Sequence, residues 1–401
     1  MSWPLIKLEE LCHVVTKGTT PTSIGYEFSE FGIPFLRVQN LFNSTVSLDD
    51  VLYISPEAHE ALKRSIIRPD DFLITIAGTI GRAAIVPNDF PECNCNQAIA
   101  ILRFDTDKLW PTYLLHWITT QDAMSQIAGK KVTATISNLS LGQIKELEIP
   151  LPPLEEQKRI AAILDKADAI RRKRQQAIKL ADDFLRSVFL EMFGDPVSQG
   201  WDFLTIGEMA SANKGSMRTG PFGSDLKHSE FTEEGVAVLG IDNAVKNKFS
   251  WDKERFISQK KYQELKRYTV RPGDVLITIM GTCGRCAVVP DDIPLAINTK
   301  HLCCITLDTK KCLPDFLHSY YLYHPIAAKY LNKMTKGAIM DGLNLGIIKE
   351  MPVPVVPIKK QNDFYKIKML VENVSKKMSE GNGSLLFSSL QHRAFSGELA
   401  K

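Results

Sequence analysis

The pattern of apolar positions is most regular between residues 154 and 193, a stretch of 40 residues without glycine or proline. Its apolar side chains recur with spacings of three and four residues, with one break at Arg174. They are Ile160, Ile163, Ala167, Ile170, Ala177, Ala181, Phe184 and Val188. A repeat that averages 3.5 residues keeps one apolar seam against a partner helix and is typical of a coiled coil. The pattern predicts a helix roughly 55–60 Å long.

A second segment with the same spacing lies near the C-terminus. Its apolar positions are Phe364, Ile367, Val371, Val374 and Met378. Residues 381–383 are glycine-rich and are predicted to interrupt this helix before it resumes. The segments that lead into the two helices also align, since residues 139–146 match residues 343–350 and Gln157 falls on Gln361. We therefore expect the two long helices to bury each other's seams.

An internal repeat accounts for most of the remaining chain. Residues 32–120 align with residues 235–323 at a constant offset of 203. The similarity is greatest between residues 64–91 and residues 267–294, where 17 of 28 positions are identical. So long a period indicates a duplicated globular domain rather than a solenoid of short repeats.

Each copy of the repeat predicts a mixture of strands and helices. In the first copy, residues 72–76 form an apolar, β-branched run typical of a buried strand, and residues 83–86 return as a second strand. Residues 55–64 predict a helix capped by serine, and residues 111–126 predict a helix with proline in its first turn. The second copy has the same pattern at the aligned positions. The expected fold class is α+β.

Composition and charge narrow the class of protein only slightly. The 401 residues suit two or three domains, and 24% of them are charged, as in soluble globular proteins. No apolar run approaches 18 residues, and no signal sequence is recognisable, so we expect a cytoplasmic protein without a membrane span. Basic residues crowd the first long helix between residues 158 and 179. They form either a solvated helix face or a contact surface for nucleic acid or an acidic partner.

Four cysteines of the second copy have spacings that resemble a zinc site: Cys283, Cys286, Cys303 and Cys304. The aligned positions of the first copy are all apolar: Ile80, Ala83, Ala100 and Ile101. Cysteine commonly fills small buried apolar positions. We therefore predict buried thiols and no metal site, with zinc as the weaker alternative.

No catalytic signature is recognisable in the sequence. The glycine-containing residues 78–81 link two predicted strands rather than a strand and a helix, and no P-loop is present. The Asn/Asp-Pro-Pro-aromatic run that amino-methyltransferases use is also missing. Asp71 and Asp274 are single carboxylates that follow a turn, and we interpret them as turn-stabilising. The sequence predicts a binding protein with no catalytic residues.

Three features together resemble the specificity subunits of type I restriction-modification systems. The first is the tandem pair of duplicated domains, and the second is the sequence Leu-Pro-Pro-Leu-Glu-Glu-Gln-Lys-Arg-Ile at residues 151–160, which leads into the long helix. The third is the C-terminal sequence Ser-Ser-Leu-Gln-His-Arg-Ala-Phe-Ser-Gly-Glu-Leu at residues 388–399. The resemblance covers essentially the whole chain.

This resemblance implies two mixed α/β target-recognition domains separated by an antiparallel coiled coil of two long helices. The expected boundaries are residues 1–150 and 196–355 for the recognition domains, and residues 151–195 and 356–401 for the helices. Each domain would contact one half of a bipartite, asymmetric site on double-stranded DNA. The helices would fix the spacing of the half-sites and dock two modification subunits.

The resemblance also places the chemistry on partner subunits. The modification subunits would bind S-adenosylmethionine and methylate adenine, and separate restriction subunits would use ATP and Mg²⁺. No cofactor is expected on this chain itself.

Comparison of the two copies suggests which residues contact DNA. Residues that are identical in both copies cannot distinguish two half-sites, so they are either structural or contact phosphates, which position DNA without specifying its sequence. The predicted phosphate contacts are Thr79, Arg82, Thr282 and Arg285. Residues of exposed loops that differ between the two copies are the better candidates for base contacts. In the first copy these are Lys17, Thr19, Thr20, Thr22, Arg37, Gln39, Asn40, Thr135, Ser137 and Asn138. In the second copy they are Lys214, Ser216, Arg218, Thr219, Asp242, Asn243, Met340 and Asp341.

Two other functions remain open from the sequence. One is a duplicated coiled-coil scaffold or adaptor without sequence-specific DNA binding. The other is a stand-alone DNA methyltransferase or nuclease, which the missing catalytic motifs disfavour.

Overall fold

The computed structural model describes residues 3–42, 44–129, 138–335, 342–379 and 383–400. The chain divides into two compact units. Unit 1 comprises Met1–Gln175 and Ser379–Lys401, and unit 2 comprises Gln176–Met378. Each unit thus contains one copy of the repeat together with parts of the helical segments. None of the described helices is both long enough and apolar enough to cross a lipid bilayer.

Unit 1 contains mostly short strands and helices before the long helix begins. Its strands are β1 (Leu5–Lys7), β2 (Cys12–Lys17), β3 (Phe28–Ser29), β4 (Ile33–Leu36), β5 (Leu41–Phe42), β6 (Thr45–Val46), β7 (Leu52–Ile54), β8 (Ile66–Ile67), β9 (Phe72–Thr75), β10 (Ala83–Ile85), β11 (Cys93–Cys95), β12 (Ile99–Phe104) and β13 (Glu148–Pro150). Its helices are α1 (Leu8–Leu11), α2 (Pro56–Ala61), α3 (Pro111–Trp117), α4 (Gln121–Gly129) and α5 (Leu141–Lys145).

The long helix α6 (Leu154–Phe193) leads into unit 2, which has a matching set of elements. Its strands are β14 (Phe203–Thr205), β15 (Met217–Thr219), β16 (Phe231–Thr232), β17 (Val236–Leu239), β18 (Phe256–Ile257), β19 (Thr269–Val270), β20 (Val275–Thr278), β21 (Cys286–Val288), β22 (Ala296–Asn298), β23 (Leu302–Ile305) and β24 (Pro352–Pro354). Its helices are α7 (Ile206–Met209), α8 (Gln259–Leu265), α9 (Pro314–Tyr323), α10 (Pro325–Thr335) and α11 (Leu345–Lys349). The helices α12 (Ile358–Ser379) and α13 (Gly383–Phe395) follow.

The two units have the same sheet topology. A four-stranded sheet has the order β10-β9-β12-β2 in unit 1 and β21-β20-β23-β15 in unit 2. A five-stranded sheet has the order β3-β7-β4-β11-β8 in unit 1 and β16-β18-β17-β22-β19 in unit 2. One parallel pair lies inside each five-stranded sheet, between β4 and β11 or between β17 and β22. The predicted duplication and the mixed α+β class are both confirmed.

The two sheets of unit 1 pack face to face, and the helices cover the other side of the four-stranded sheet. Successive side chains of β9 point to opposite faces. Leu73 packs with Leu36 of the other sheet, whereas Phe72 and Ile74 pack against the helices, with Trp117 in the same cluster. Both faces of the strand are therefore buried, which explains why residues 72–76 are apolar except for Thr75, whose hydroxyl bonds to the following loop.

The structure modifies one helix prediction and confirms another. Residues 111–126 form two helices, α3 and α4, because the Thr120 hydroxyl accepts a hydrogen bond from the Ala123 amide at 3.2 Å and starts a new helix. In unit 2 the corresponding break comes before Pro325, as expected for a residue that precedes proline. The serine cap is present, since the Ser55 side chain accepts a hydrogen bond from the Ala58 amide.

The long helices pack in an antiparallel manner within each unit. In unit 1 the start of α6 packs with the end of α13, where Ile160, Leu164 and Phe395 share one core. In unit 2 the end of α6 packs with the start of α12, where the rings of Phe193 and Phe364 lie 5.8 Å apart. The predicted pairing of the two helical segments is therefore confirmed. The predicted interruption at residues 381–383 lies mostly outside the described residues, between the end of α12 and the start of α13.

The predicted seam is wrong at three of its positions. Ile170, Phe184 and Val374 are 54%, 52% and 50% exposed. Leu185 and Phe189 are buried instead, at 3% and 0%. A second apolar stripe on α6 therefore lies one residue after the predicted seam. The aromatic core of unit 2 contacts this second stripe at Phe189.

A glutamine at the same aligned position in α6 and α12 joins each helix to the recognition domain of its unit. Gln157 is buried, and its side-chain oxygen accepts a hydrogen bond from the Trp110 amide at 2.8 Å. Gln361 is buried in the same way and accepts a hydrogen bond from the Leu313 amide at 2.8 Å. Each side-chain nitrogen donates to two carbonyls. Because these hydrogen bonds are buried, they fix the first turn of each helix against the loop before α3 or α9.

The cysteines of the second copy lie where the repeat predicted them. Cys286, Cys303 and Cys304 are completely buried among apolar side chains. Burial raises the pKa of the Cys303 thiol to about 12, so this thiol is protonated at neutral pH. The prediction of buried thiols is confirmed for these three residues, whereas Cys283 is only partly buried.

Candidate nucleic-acid interface

The turn between β11 and β12, residues 96–98, connects the segments that were predicted to contact DNA in unit 1. We call it the central turn, and its counterpart in unit 2 is residues 299–301. The Thr19 amide donates to the carbonyl of Cys95, which precedes the turn, at 3.1 Å. The Asn96 amide donates to the carbonyl of Leu36 at 3.0 Å. The threonine-containing and arginine-containing candidate loops are therefore neighbours.

Four candidates lie on the threonine-containing loop. Lys17 ends β2 and Thr22 lies in a short 3-10 turn, and both side chains are exposed. Thr19 and Thr20 are half-buried, and the Thr20 hydroxyl donates to the side-chain oxygen of Gln97 on the central turn. Lys17 and Thr22 are thus accessible to a ligand.

The arginine-containing loop is held by Asp50. The Arg37 guanidinium donates to the Asp50 carbonyl at 2.6 Å and lies 3.2 Å from its carboxylate. The side-chain amide of Gln39 donates to the same carboxylate at 3.0 Å. Since Asp50 is 84% exposed and Gln39 is also exposed, these groups form a polar surface with hydrogen-bond donors and acceptors.

Asn40 and its counterpart Asn243 have a structural role in these loops. Both are buried, at 1% and 0% exposure. The oxygen of each side chain accepts a backbone amide, from Arg37 in unit 1 and Gly240 in unit 2, and the nitrogen of each donates to a backbone carbonyl. Because these hydrogen bonds engage both ends of each side-chain amide, we assign Asn40 and Asn243 to loop stabilisation and not to base contact.

In unit 2 the central turn is bonded to the segments that follow β17 and β15, as it is bonded in unit 1 to the segments that follow β4 and β2. The Thr299 amide donates to the carbonyl of Leu239 at 2.9 Å, and the Gly220 amide donates to the Thr299 carbonyl at 3.3 Å. Thr219 ends β15 near the turn and is half-buried. Lys214 is exposed and Ser216 is half-buried, but both precede β15, and the Ser216 carbonyl accepts the Thr306 amide at 2.7 Å. The structure therefore places Lys214 and Ser216 at the opposite end of β15 from the central turn.

Arg218 is engaged in the interior of unit 2 and is not available to a base. Its guanidinium lies 2.7 Å from the carboxylate of Asp274 and donates to the Thr269 carbonyl at 2.6 Å. The two side chains are only 10% and 1% exposed. The predicted base contact by Arg218 is therefore replaced by a buried ion pair. Asp274 also accepts the Arg271 amide at 2.9 Å, in keeping with the turn-stabilising role predicted for it.

Arg255 is a functional candidate that the sequence comparison missed. Its guanidinium lies 2.6 Å from the carboxylate of Asp242, and both side chains are about one quarter exposed, at 24% and 27%. A Cβ atom at Gly240 would lie 2.5 Å from this guanidinium. Gly240 aligns with Arg37, and Arg255, which directly precedes β18, supplies the cation that the alignment shows as lost. The sequence did contain a signal for this contact: glycine replaces arginine at position 240, close to Asp242, which leaves the carboxylate without an arginine from its own loop.

The loop between β9 and β10 in unit 1 has the same conformation as the loop between β20 and β21 in unit 2. In unit 1, the Thr75 hydroxyl donates to the Thr79 carbonyl and accepts the Arg82 amide at 3.0 Å. In unit 2, Thr278 makes the same two hydrogen bonds with Thr282 and Arg285, at 2.6 Å and 2.8 Å. Both loops connect antiparallel strands, as predicted. Glycines at positive φ make the tight turn possible at residues 78, 81, 281 and 284.

This loop exposes two cations and two hydroxyl-bearing residues. Arg82, Thr79, Arg285 and Thr282 are all exposed. Among the described residues, the guanidinium groups of Arg82 and Arg285 form neither an ion pair nor a hydrogen bond. Such unpaired guanidinium groups suit phosphate oxygens.

The last set of candidates lies mostly beyond the described residues. Thr135, Ser137, Met340 and Asp341 fall outside them. Asn138 is exposed and pairs through a β-bridge with Ala77, next to the loop that carries Arg82.

The same scaffold occurs twice in the chain. In each copy a shared loop exposes an arginine, and the polar loops around it differ between the copies. These features define a recognition protein with two related binding faces. A family model described as the type I restriction modification DNA specificity domain matches residues 2–180 and again residues 198–373. The chain belongs to this family and contains two copies of its domain.

Similar proteins align with this chain over nearly its whole length. The type I restriction enzyme EcoBI specificity subunit of Escherichia coli is 23% identical over 433 residues, which cover 99% of this chain and 86% of the relative. The StySPI specificity subunit of Salmonella potsdam is 22% identical over 397 residues, which cover 92% and 82%. The crystal structure of a type I restriction-modification S subunit from M. genitalium has the same fold, with a TM-score of 0.59, 17% identity and coverage of 98% and 96%.

Proposed function

We propose that this chain is the DNA-specificity subunit of a type I restriction-modification complex and is not itself an enzyme. The observation that carries the proposal is the contrast within the repeat. The loops with Arg82 and Arg285 are the same in both units, whereas the polar loops around them differ. A protein that grips one duplex at two different sequences needs this combination, because phosphates are the same everywhere and bases are not.

Each unit would contact one half of a bipartite site. Thr79, Arg82, Thr282 and Arg285 would contact phosphates. Lys17, Thr22 and Gln39 are the exposed candidates of the divergent loops in unit 1, and Asp242 of unit 2 is about one quarter exposed, at 27%. Arginine and lysine pair with guanine, glutamine pairs with adenine, and aspartate accepts a hydrogen bond from cytosine. The long helices would fix the distance between the half-sites, which address one face of DNA when they are separated by roughly 34 Å or a multiple.

The partners would dock on exposed apolar positions of the long helices. Ile170 of unit 1 and Val374 of unit 2 are aligned in the repeat, and both are about half exposed. Phe184 of unit 2 and Leu386 of unit 1 correspond when the ends of the two helical segments, Phe193 and Phe395, are matched, and they are 52% and 61% exposed. Equivalent apolar positions in two related units suit two copies of one partner, the modification subunit.

The chemistry of the complex would reside on other chains. The modification subunits would bind S-adenosylmethionine and methylate adenine, and restriction subunits would use ATP and Mg²⁺. This chain would supply DNA contacts and docking surfaces in the cytoplasm, without a cofactor of its own.

A domain exchange tests the proposal directly. Residues 200–352 are replaced by those of a relative, the chimera is co-expressed with the modification subunit, and methylated adenines are mapped across the host genome. We expect one half of the methylated motif to change and the other half to stay the same. A change in both halves would contradict the assignment of one half-site to each unit.

Two controls address the other functions. Purified chain is incubated alone with labelled S-adenosylmethionine and DNA, where methyl transfer would show a stand-alone methyltransferase. Binding to cognate and scrambled duplexes is then compared at fixed salt, because non-specific binding is strongly salt-dependent. Equal affinity for the two duplexes would favour a scaffold without sequence-specific binding.

A further inference from the structure

In unit 1 the central turn is hydrogen-bonded to the segments that carry Thr20, Arg37 and Arg82. In unit 1 the carbonyl of Ala98 accepts the amide of Ile76, which leads into the loop of Arg82, at 2.8 Å. The turn is also bonded to Leu36, next to Arg37, and to the side chain of Thr20. A residue on this turn is therefore placed among the groups proposed to contact DNA.

The backbone of the turn is the same in the two units. In unit 2 the carbonyl of His301 accepts the amide of Ile279 at 2.9 Å, matching the bond between Ala98 and Ile76. The turn closes on itself in both units, through the amide of Ile99 to the Asn96 carbonyl and the amide of Leu302 to the Thr299 carbonyl, each at 3.1 Å. The scaffold thus presents two consecutive side chains at the same place in each unit.

A glycine on the neighbouring segment keeps each turn in close contact. A Cβ atom at Gly18 would lie 2.1 Å from the carbonyl oxygens of Cys95 and Asn96, and one at Gly220 would lie 2.0 Å from that of Asn298. Since backbone atoms cannot give way easily, both contacts require glycine. The position of the turn is therefore fixed by the backbone and does not depend on the side chains that it carries.

Those side chains differ in charge between the two units. Unit 1 has Gln97 and Ala98, of which Gln97 is exposed. Unit 2 has Lys300 and His301, both half-buried. The pKa of His301 is lowered, first by burial and then by the positive charges of Lys300 and Arg255. The central turn is therefore neutral in unit 1 and carries a cation next to further basic groups in unit 2.

We infer that the central turn is a specificity-determining segment, in which Gln97 contacts a base of the half-site bound by unit 1 and Lys300 contacts a base of the half-site bound by unit 2. This inference rests on the proposed function. Glutamine suits an adenine edge, and lysine suits the O6 and N7 atoms of guanine. The turn was absent from the candidates chosen by sequence alone, because it is short and lies between two buried strands.

The test exchanges the two side chains. Lys300→Gln is introduced into the full chain, which is co-expressed with its modification subunit, and the methylated motif is mapped. We expect a change or relaxation at a position of one half-site only, with a loss of cognate binding of about 10- to 100-fold. Gln97→Lys should affect the other half-site. Lys260→Gln, which removes an exposed lysine of α8, serves as the matched control and should leave the motif as in the wild type.

Binding titrations at several salt concentrations separate a base contact from a phosphate contact. If Lys300→Gln weakens binding to every duplex equally and lowers the salt slope by about one, Lys300 contacts a phosphate and the inference is wrong. An unchanged motif with unchanged affinity would also overturn it. The proposed function is judged separately, by whether the wild-type complex methylates a bipartite motif at all.

Discussion

A buried guanidinium occupies the same place in the two units although it comes from different strands. In unit 1, Arg103 of β12 lies 2.6 Å from the carboxylate of Asp71 and donates to the Ile66 carbonyl at 2.8 Å. In unit 2, Arg218 of β15 contacts the aligned carboxylate and the aligned carbonyl. The position that aligns with Arg103 is Thr306, whose hydroxyl donates to Asp274 at 2.6 Å. The ion pair has been kept while its donor has moved to the neighbouring strand.

The exchange of positions between the units predicts that the arginine of unit 2 can be moved from residue 218 to residue 306 without loss of the ion pair. Arg218→Thr leaves a buried carboxylate without its partner and should destabilise unit 2 by about 3–5 kcal/mol. The double variant Arg218→Thr, Thr306→Arg reproduces the arrangement of unit 1, where Thr16 and Arg103 occupy these positions. It should recover most of the lost stability. Urea unfolding of the full chain, followed by tryptophan fluorescence, measures both effects.

The same variants test whether Arg218 contacts DNA. The double variant should methylate the wild-type motif when it is co-expressed with the modification subunit. A stable double variant with an altered half-site would show that Arg218 does contact a base, against the structural role assigned to it.

At the scale of elements, α12 differs from α6 in the residue that it buries against the recognition domain. Leu164 of α6 is completely buried in unit 1, and the aligned residue in unit 2 is Lys368, which is 5% exposed. The Lys368 ammonium lies 2.6 Å from the carboxylate of Asp315 and 3.4 Å from Nδ1 of His318. The sequence predicted the length of α6 and the pairing of the two helical segments, but not this contact. Periodicity shows that a stripe is apolar, whereas the buried stripe of α12 contains a lysine whose partners lie on another helix.

This buried cluster predicts a pH dependence for the stability of unit 2. Burial and the nearby Lys368 charge lower the pKa of His318 to about 4. The unfolded chain therefore binds more protons than the folded chain between about pH 4 and the usual histidine pKa of about 6.5. Stability should fall as the pH is lowered through this window. The contribution of His318 at pH 4.5 is a loss of about 2 kcal/mol relative to neutral pH.

The measurement compares the free energy of unfolding of the wild type and His318→Gln at several pH values. The variant should lose less stability than the wild type between pH 7 and pH 4.5, whatever its stability at neutral pH. His228→Gln, at an exposed position of unit 2, should have the pH dependence of the wild type. Parallel curves for the wild type and His318→Gln would rule out the role assigned to this histidine.

At the scale of the whole molecule, the internal repeat was the strongest predictor. It predicted the duplicated domain and the buried cysteines, whereas the two long helices followed from the spacing of apolar residues. It also identified the loop with Arg82 and Arg285 as a shared structure. It could not place Arg255 beside Gly240 or Arg218 beside Asp274, because both depend on which strands are neighbours. An alignment compares positions, whereas a guanidinium can reach the same point in space from a different strand.

The aligned apolar positions on the helices predict how many partners bind. A single charge at Val374 should abolish one docking site and leave the equivalent site at Ile170 intact. Val374→Asp should therefore reduce a complex with two modification subunits to one with a single modification subunit, and Val374→Asp with Ile170→Asp should abolish the complex. Both side chains are half exposed, so the substitutions should leave the fold of the chain unchanged.

Native mass spectrometry of the purified complexes measures the stoichiometry, with Asn373→Asp, the exposed neighbour, as the control for added charge. Two modification subunits on the doubly substituted chain would show that docking uses another surface of the molecule.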